Sequence, residues 1–590
     1  MKKVIVIILA LVGLFALVAM VALAGVGLLV AFGTERVPTR IVLEVDFEQG
    51  VIESIPDDPL AQVMLEDSLT LRDVVDALDR AAEDRRVEAV FARIGGGGMG
   101  LAQLQEIRDA VMRFRESGKP AYAFAETFGE FGPGNGGYYL ATAFDRIYLQ
   151  PSGDVGLTGM IYESPFVRGL LDKLHVTPQL DQRMEYKNAM NFYTDQAYNE
   201  PFERAMQALL DSQFGQLVRG IAEARDLPEP DVMALIDRGP FLGQEAVAAG
   251  LVDELVYRDE ALDNIEESVG NNAVFYDLSR YLAAAGRKHR KGTTIALIEA
   301  SGGVVRGSSR YSPLDGSVSM GADTISSAFR SAIEDRRVKA IIFRVDSPGG
   351  SYVASDTIWR ETIRAQEADK PVIVSMGNLA GSGGYFVAMN ADKIVAQPGT
   401  ITASIGVLGG KLLTREFWKE MVGVTWDDVS SGGNSRMWTG TYEYGSSYER
   451  FAASLDRVYE DFTGRVAAGR DLPREEVLEL ARGRIWTGED ALELGLVDEL
   501  GGVDVAMRLA REAIGLESDA PVRIKRFPRR RSAWELFVSQ RRERASRAAL
   551  REALAILQPK VSMLKQLGLW NDPGLLTMPR VTQTAAPALR

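Results

Sequence analysis

The stretch "EDRRVKAIIFRVDSPGG", residues 334–350, decides the fold class of the second half of this chain. Val338–Val345 has the length and the β-branched content of a buried strand, and the run breaks at the letters SPGG. A helix is predicted near Ala354–Gln366, followed by strands at Pro371–Ser375 and Ile394–Ala396. Strands that alternate with helices indicate an α/β fold with a parallel sheet and right-handed crossovers.

The same plan occurs twice along the chain. Three pairs of similar segments are separated by offsets of about 245–251 residues, which indicates duplication of one large unit rather than an array of short repeats. The pairs are 83–98 with 334–350, 134–153 with 381–400, and 243–255 with 488–500. Helical stretches are predicted at Phe202–Ala224 and Tyr448–Ala468, and a basic stretch at 285–294 is predicted to link the two units.

Composition excludes several functional classes. The 590 residues are 46% hydrophobic and 25% charged, which is globular and long enough for several domains. The chain has no cysteine, which excludes disulfides, cysteine nucleophiles and thiolate metal sites. Two histidines and a net charge of −14 argue against a histidine-rich metal site and against a nucleic-acid partner. Nothing in the sequence indicates a metal or an organic cofactor.

The N-terminus predicts a membrane anchor. Lys2 and Lys3 precede an uncharged stretch that runs from Val4 to Phe32. This stretch is longer than the roughly 20 residues that are needed to span a bilayer. The letters ALA at 22–24 resemble a signal-peptidase site, but the apolar run continues past them. We therefore predict a transmembrane anchor, with a cleaved signal of unusual length as the alternative. The two lysines favour a cytoplasmic N-terminus, which places the body on the extracytoplasmic side in either case.

A serine in the second unit has the setting of a nucleophile but lacks the usual base. Ser382 lies between glycines in "NLAGSGGYFVA" (378–388), whereas His175 and His289 lie in no comparable motif. The remaining common base for a serine is an uncharged lysine. Lowering the pKa of a lysine from about 10.4 to about 7 costs roughly 4–5 kcal/mol, and burial among apolar groups can supply that shift.

The duplication singles out one lysine as the base. Lys187 lies among apolar residues, where an isolated lysine usually extends its amine to water. However, the first unit has Asn135 where the second has Ser382, and the second has Arg436 near the position that corresponds to Lys187. Arginine cannot act as an uncharged base. Each unit thus keeps one member of a pair, which predicts a single active site shared by the two units. Whether the pair forms within one chain or between neighbouring chains is left open by the sequence, and the duplication favours one chain.

Two further stretches carry a family resemblance. "VDSPGGSYVASD" (345–356), followed by "AGSGGYFVAMNADKIVAQPGTITASIGV" (380–407), resembles the signal peptide peptidase A family, also called protease IV, in its long duplicated form. The resemblance covers both units and the anchor, and implies an α/β protein with two tandem ClpP/crotonase-like repeats. It further implies a homotetrameric endopeptidase of the cytoplasmic membrane, which crosses the membrane once and degrades signal peptides left there after secretion.

The resemblance assigns roles to three residues. It makes Ser382 the nucleophile, Lys187 the general base, and Ser404 the residue that orients the lysine amine. Alternative functions are a catalytically inactive membrane scaffold and an envelope protease that acts on other substrates. An acyl-CoA enzyme of the crotonase type needs neither an anchor nor a serine–lysine pair.

Glycines near the serine are candidates for the oxyanion hole. Gly349, Gly350 and Gly383 offer backbone N–H groups with no side chain to block a peptide carbonyl, although a bare strand-to-helix turn would have the same letters. Which glycine donates is left open by the sequence. The first unit reads "IGGGGMG" at 94–100 and is expected to lack an oxyanion hole of its own.

The chain divides into four predicted regions. They are the anchor at 1–33, the repeat with the lysine at 40–285, the repeat with the serine at 290–515, and a basic tail at 520–590. Residues 521–560 carry about a dozen basic residues interleaved with apolar ones, which is typical of an amphipathic helix either on an anionic membrane or against the body. No regular structure is predicted after Asn571.

Overall fold

The computed structural model describes residues 37–528, except Gly97 and Asn271, together with the short stretches 576–577 and 582–583. The anchor predicted at 1–33 and most of the basic tail therefore lie outside the described residues. Among the helices that are described, none combines the length and the apolar character that crossing a bilayer requires.

The first repeat alternates strands and helices, as the sequence predicts. Its described strands are β1 Ile41–Asp46, β2 Val87–Arg93, β3 Ala121–Ala125, β4 Arg146–Leu149, β5 Asp154–Val155, β6 Tyr162–Glu163, β7 Thr177–Arg183, β8 Phe241–Leu242, β9 Glu254–Leu255 and β10 Val274–Asp277. Its described helices are α1 Pro59–Met64, α2 Leu71–Glu83, α3 Leu101–Arg115, α4 Asn135–Ala141, α5 Arg168–Lys173, α6 Asn191–Thr194, α7 Glu200–Arg225, α8 Glu229–Arg238, α9 Gly243–Ala248, α10 Arg258–Val269 and α11 Leu278–Ala285.

The second repeat follows the same order. Its described strands are β11 Thr293–Ser301, β12 Gly303–Val305, β13 Arg310–Tyr311, β14 Val318–Gly321, β15 Val338–Ser347, β16 Gly349–Gly350, β17 Val372–Gly381, β18 Lys393–Ala396, β19 Ile401–Ala403, β20 Val407–Leu413, β21 Ile485–Thr487, β22 Glu499–Leu500 and β23 Val522–Phe527. Its described helices are α12 Ala322–Glu334, α13 Tyr352–Glu367, α14 Gly383–Phe386, α15 Arg415–Phe417, α16 Tyr448–Arg470, α17 Arg474–Ala481, α18 Gly488–Glu493 and α19 Val503–Ala513. Short 3₁₀ turns lie at Asn188–Met190 and Gly445–Ser447, and a π-helical turn at Trp418–Val422.

The two main sheets share one topology. The first has the strand order β10-β1-β2-β3-β4-β9, and the second repeats it as β23-β11-β15-β17-β18-β22, with all of these pairs parallel. The second sheet continues from β17 to β19 and then to the antiparallel β21. The predicted duplication and the predicted parallel α/β architecture are both present. Strand β23, at the edge of the second sheet, comes from the stretch that the sequence assigned to the tail.

Corresponding side chains anchor the same turns in both repeats. The Tyr138 hydroxyl donates to the Leu251 carbonyl at 2.8 Å, and the Tyr385 hydroxyl donates to the Leu496 carbonyl at 2.9 Å. Both tyrosines are buried in their own hydrophobic core. These buried hydroxyls satisfy one backbone carbonyl in each of the two "GLVDEL" endings.

One strand of the second repeat is longer than the sequence predicts. The prediction ended it at Ser375, but β17 runs from Val372 to Gly381. Its last three residues find a new neighbour, because Leu379–Gly381 pair with Ile401–Ala403 of β19. Strand pairing therefore reaches the residue before Ser382, and the serine directly follows a paired strand end.

The two repeats are joined by a polar interface and by a shared ribbon. Arg344 of the second repeat contacts Glu53 at 2.6 Å and Glu106 at 2.9 Å, and both carboxylates belong to the first repeat. Strand β7 of the first repeat pairs antiparallel with β20 of the second over seven residue pairs. This ribbon brings the chain after β7, which contains Lys187, beside the second repeat.

Two short strands lie near the C-terminus, where no regular structure is predicted. Leu576–Thr577 pairs antiparallel with Gly350 and Gly349, and Thr582–Gln583 pairs with Glu163 and Tyr162. The expectation of an unstructured stretch after Asn571 is therefore wrong for these two pairs of residues. Pairing with strand edges of the body gives them a regular backbone that their own sequence does not predict.

Candidate active site

Ser382 stands at a sharp change of direction. Strand β17 ends at Gly381 and α14 begins at Gly383, so the serine joins the two elements. Its φ of 54° lies in the left-handed region, which costs a non-glycine residue about 1–2 kcal/mol. The Ser382 N–H donates to the Ala403 carbonyl at 2.6 Å, which holds the turn against β19. A serine on a strained strand-to-helix turn is typical of a nucleophile.

The glycines after Ser382 allow a close approach of two backbones. A β-carbon at Gly384 would lie 2.5 Å from the Ser347 carbonyl oxygen, and one at Gly383 would lie 3.0 Å from the Gly350 nitrogen. Any side chain at these positions would push α14 away from the turn between β15 and β16. The glycines therefore keep the serine beside the strand Gly349–Gly350.

Lys187 is carried into the second repeat by the ribbon of β7 and β20. Arg183 pairs with Val407, and the chain then turns inward through Met184–Tyr186. The Tyr186 N–H donates to the Arg482 carbonyl at 3.1 Å, and the Glu185 carboxylate contacts the Arg482 guanidinium at 2.7 Å. The lysine segment is thus held by backbone and side chain of the other repeat.

The lysine amine meets both predicted serines. Lys187 Nζ lies 2.7 Å from Ser382 Oγ, 2.9 Å from Ser404 Oγ and 2.8 Å from the Ser404 carbonyl oxygen. All three residues are fully buried. Burial lowers the pKa of Lys187 well below its ordinary value, since the ammonium form loses its water. No carboxylate among the described residues accepts from this amine, so no nearby anion restores the charge.

The three contacts match the bonding capacity of an uncharged amine. Such an amine has two N–H donors and one lone pair. The Ser404 carbonyl can only accept, so it takes one N–H, and Ser404 Oγ takes the other. With both N–H groups so used, the lone pair of the uncharged form would face Ser382 Oγ, 2.7 Å away, and would accept its hydroxyl proton. This is the arrangement that general-base catalysis requires.

Ser404 is held in an unusual backbone conformation. Ala403 and Ser404 have φ values of 63° and 52°, both in the left-handed region. The Ser404 N–H donates to the Arg484 carbonyl at 2.9 Å, and Ser404 Oγ lies 3.5 Å from the Gly483 carbonyl oxygen. These contacts direct both the hydroxyl and the carbonyl of Ser404 at the lysine amine. Sequence reasoning missed the loop 482–484, whose glycine is the one signal that could have indicated a tight turn.

The candidate oxyanion glycines differ in what their N–H groups do. The Gly349 N–H already donates to Ser347 Oγ at 3.2 Å. Gly383 is the first residue of α14, and an N–H at that position has no acceptor within its own helix. The Gly350 nitrogen lies next to Gly383, as the close approach above shows. Gly350 and Gly383 are therefore better placed than Gly349 to meet an oxyanion.

The first repeat has no comparable site around Asn135. The side-chain oxygen of Asn135 accepts from the backbone N–H groups of Thr158 and Gly159. Its side-chain nitrogen donates to the Gly159 carbonyl at 2.7 Å. Arg436, near the position that corresponds to Lys187, is about half exposed and contacts Asp428. Within the described residues, no group of three or more His, Cys, Asp or Glu side chains could hold a metal ion.

The duplicated α/β fold and the buried serine beside a buried lysine amine with a lowered pKa are those of a serine hydrolase. Comparison with known proteins then identifies the class. The chain belongs to Peptidase family S49, whose model matches residues 113–272 and 364–517. The two matched ranges fall one in each repeat, and the chain is accordingly a serine peptidase. The resemblance stated from the sequence is confirmed.

Individual relatives match most of the chain. It is 31% identical to "Protease 4" of Haemophilus influenzae over 466 residues, which cover 76% of this chain and 74% of that protein. "Protease 4" of Salmonella typhi is 31% identical over 462 residues, covering 76% and 72% of the two chains. The "Serine protease SPPA, chloroplastic" of Arabidopsis thaliana is 29% identical over 473 residues, covering 78% and 68%.

Proposed function

We propose that this serine peptidase is an endopeptidase that uses Ser382 as nucleophile and Lys187 as general base. The observation that carries the proposal is the 2.7 Å separation of Lys187 Nζ from Ser382 Oγ in a fully buried site. A base must lie within about 2.6–3.2 Å of the atom whose proton it takes, and this amine does.

The proposed chemistry proceeds through an acyl-enzyme. Ser382 Oγ forms a bond to the carbonyl carbon of the scissile peptide while Lys187 takes its proton, and the carbonyl electron pair moves onto oxygen. The N–H groups of Gly350 and Gly383 would stabilise that oxyanion, at roughly 2.7–4 kcal/mol for each donor. The oxyanion then collapses, the C–N bond breaks, and the Lys187 ammonium protonates the leaving nitrogen. Water, deprotonated by Lys187, then attacks the acyl carbon. The bond from that carbon to Ser382 Oγ breaks, and the Lys187 ammonium returns the proton to Ser382 Oγ.

Ser404 acts on the lysine rather than on the substrate. Its carbonyl and hydroxyl oxygens hold both N–H groups of the uncharged amine, which leaves the lone pair aimed at Ser382. Fixing the amine before substrate arrives avoids reorganisation during the reaction.

The proposed substrates are extended apolar peptides, above all signal peptides left in the membrane after secretion. An antiparallel partner, Leu576–Thr577, lies on Gly349–Gly350, so this strand can accept an extended backbone. The family membership and the uncharged stretch Val4–Phe32 support a membrane-anchored enzyme with its body on the extracytoplasmic side of the cytoplasmic membrane. We also propose a homotetramer, which light scattering of the detergent-solubilised chain would test.

The mechanism is tested with single substitutions in the full chain. Ser382→Ala and Lys187→Ala are each expected to lower cleavage of a detergent-solubilised apolar peptide by about 10⁴-fold or more, because the two groups act as a unit. Ser326→Ala is the matched control, since Ser326 is also buried and its hydroxyl has no hydrogen-bond partner among the described residues. Activity near that of the unaltered protein in either dyad variant would refute the proposal.

A second measurement tests the substrate class. Peptide libraries digested by the full chain are expected to give cleavage after apolar and small side chains. A profile dominated by charged residues before the scissile bond would contradict the proposed substrates and would leave the serine–lysine mechanism standing. An acylating probe that labels Ser382 only when Lys187 is present separates an active enzyme from an inactive scaffold.

A further inference from the structure

The loop 482–484 of the second repeat runs directly along the lysine segment. It connects α17 to β21 and contacts both sides of the site. On one side, the Arg482 carbonyl accepts from the Tyr186 N–H at 3.1 Å. On the other, the Arg484 carbonyl accepts from the Ser404 N–H at 2.9 Å, and the Gly483 N–H donates to the Ile405 carbonyl at 2.9 Å. One loop therefore sets the distance between the lysine backbone and Ser404.

Gly483 leaves no room for a side chain against Lys187. A β-carbon built on it would lie 2.5 Å from the Lys187 backbone nitrogen and 2.7 Å from its Cα. Atoms do not approach so closely, and the obstacle is backbone rather than the flexible end of a side chain. Gly483 also has a φ of +81°, which favours glycine by itself.

A second glycine contacts the lysine further along its stem. A β-carbon at Gly406 would lie 2.9 Å from the Arg183 carbonyl oxygen, 2.9 Å from the Gly483 Cα and 3.2 Å from Lys187 Cδ. The backbone of Gly406 lies outside the left-handed region, so close contact alone requires glycine here. Both glycines belong to the second repeat, whereas the lysine belongs to the first.

We propose that Gly406 and Gly483 form a cradle that positions the Lys187 amine against Ser382. This cradle rests on the proposed function, in which Lys187 is the base, and it adds two positioning residues from the repeat that lacks the lysine. A methyl group on Gly483 would displace the lysine backbone, and one on Gly406 would displace Lys187 Cδ by a few tenths of an ångström. A misplacement of about 1 Å can cost on the order of 100-fold in rate.

The cradle also keeps water away from the amine. Lys187, Ser382 and Ser404 are fully buried, and burial is the cause of the lowered pKa of the lysine. A displaced amine would reach water and regain its charge at neutral pH. The expected signature is therefore a loss of rate together with a shift of the pH profile, because an ammonium group cannot accept the serine proton.

The test compares three substitutions in the full chain: Gly483→Ala, Gly406→Ala and Gly515→Ala. Gly515 is the matched control, since its φ of +70° is close to the +81° of Gly483 but a β-carbon there would meet no atom within 4 Å. We measure kcat/KM on an apolar peptide from pH 5 to 10, and thermal unfolding of each variant. The cradle variants are expected to lose about 100-fold in kcat/KM, with the acid midpoint moved to higher pH. Gly515→Ala is expected to match the unaltered protein in kcat/KM and in the acid midpoint, with only the small loss of thermal stability that its left-handed backbone brings.

Three outcomes would overturn the cradle. The first is full activity in folded Gly483→Ala and Gly406→Ala. The second is a loss of activity that only tracks the loss of folded protein, with the acid midpoint unchanged, since that is what a merely structural role produces. The third is an equal loss in Gly515→Ala, which would assign the effect to backbone strain. If Gly483→Ala fails to fold, Gly406→Ala decides alone, because it carries no left-handed strain.

The proposed function and the cradle fail in different ways. Activity retained in Lys187→Ala would refute the base itself. An inactive Lys187→Ala beside an active and folded Gly406→Ala would refute the cradle and leave the base in place.

Discussion

The serine loop of the second repeat and its counterpart in the first share a backbone plan but differ in what they do. The Ser382 hydroxyl contacts the amine of Lys187, which belongs to the first repeat, whereas the side-chain amide of Asn135 makes three hydrogen bonds to Thr158 and Gly159. The asparagine closes its own loop and is a structural residue. In the proposed mechanism, one copy of the loop therefore uses its polar side chain for internal hydrogen bonds, and the other copy keeps its side chain for chemistry.

A second pair of corresponding residues shows the same division. Arg93 and Arg344 occupy the same position in the two similar segments that begin with the letters EDRRV. The Arg93 side chain is 28% exposed and contacts Glu126, whereas that of Arg344 is 4% exposed and contacts Glu53 and Glu106 across the interface between repeats. Of these two arginines, only Arg344 contacts the other repeat, and this is where the two copies differ in burial and in partners.

Among the variants that compare the two repeats, Lys187→Arg is expected to have the largest effect. Arginine has a similar length but stays positively charged and cannot accept the serine proton, so kcat/KM is expected to fall by about 10²–10⁴-fold. In the unaltered protein the rate should rise as pH rises through the lowered pKa of Lys187, because the amine then loses its proton. Peptide cleavage measured from pH 5 to 10 checks both points. A Lys187→Arg variant with the rate and pH profile of the unaltered protein would break the comparison between the repeats.

Arg344→Met is expected to cost the next largest amount. Removing Arg344 leaves the buried carboxylates of Glu53 and Glu106 without their cation, a loss of about 3–5 kcal/mol in the free energy of unfolding. The matched change Arg93→Met removes a partly exposed pair, which contributes about 0–1 kcal/mol. Chemical denaturation of the two variants measures the difference. Equal losses would show that the two arginines have not diverged in role.

Asn135→Ala is expected to have the smallest effect, on stability alone. It leaves two N–H groups and one carbonyl of a half-buried loop unpaired, at about 1–3 kcal/mol. The kcat/KM per folded molecule should be unchanged, because Asn135 contacts none of the reacting groups. The companion variant Asn135→Ser sharpens the point: it should not be labelled by a serine-directed acylating probe, since no lysine of the first repeat lies beside it. Labelling at residue 135 would contradict the division of labour.

The elements were predictable to the extent that they carry their own signal. The helices Glu200–Arg225 and Tyr448–Arg470 extend the predicted ranges by one or two residues at their ends, and β15 extends the predicted strand by two residues. The predicted end of β17 was wrong because the last residues of the strand pair with β19, which begins twenty residues after β17 ends. The strand at Leu576–Thr577 was missed for the same reason, since its partner Gly349–Gly350 is far away in sequence.

The sequence by itself determined that this chain is duplicated, that each copy is α/β, and which copy holds the serine and which the lysine, because those facts are written in letters and spacing. Only the tertiary structure decided that the two groups contact each other and that their contact is buried. Lys187 and Ser382 are 195 positions apart, and their contact depends on the register of β7 with β20 and on the close approach of Gly483. A pKa lowered by burial is a property of that packing and has no counterpart in the order of residues.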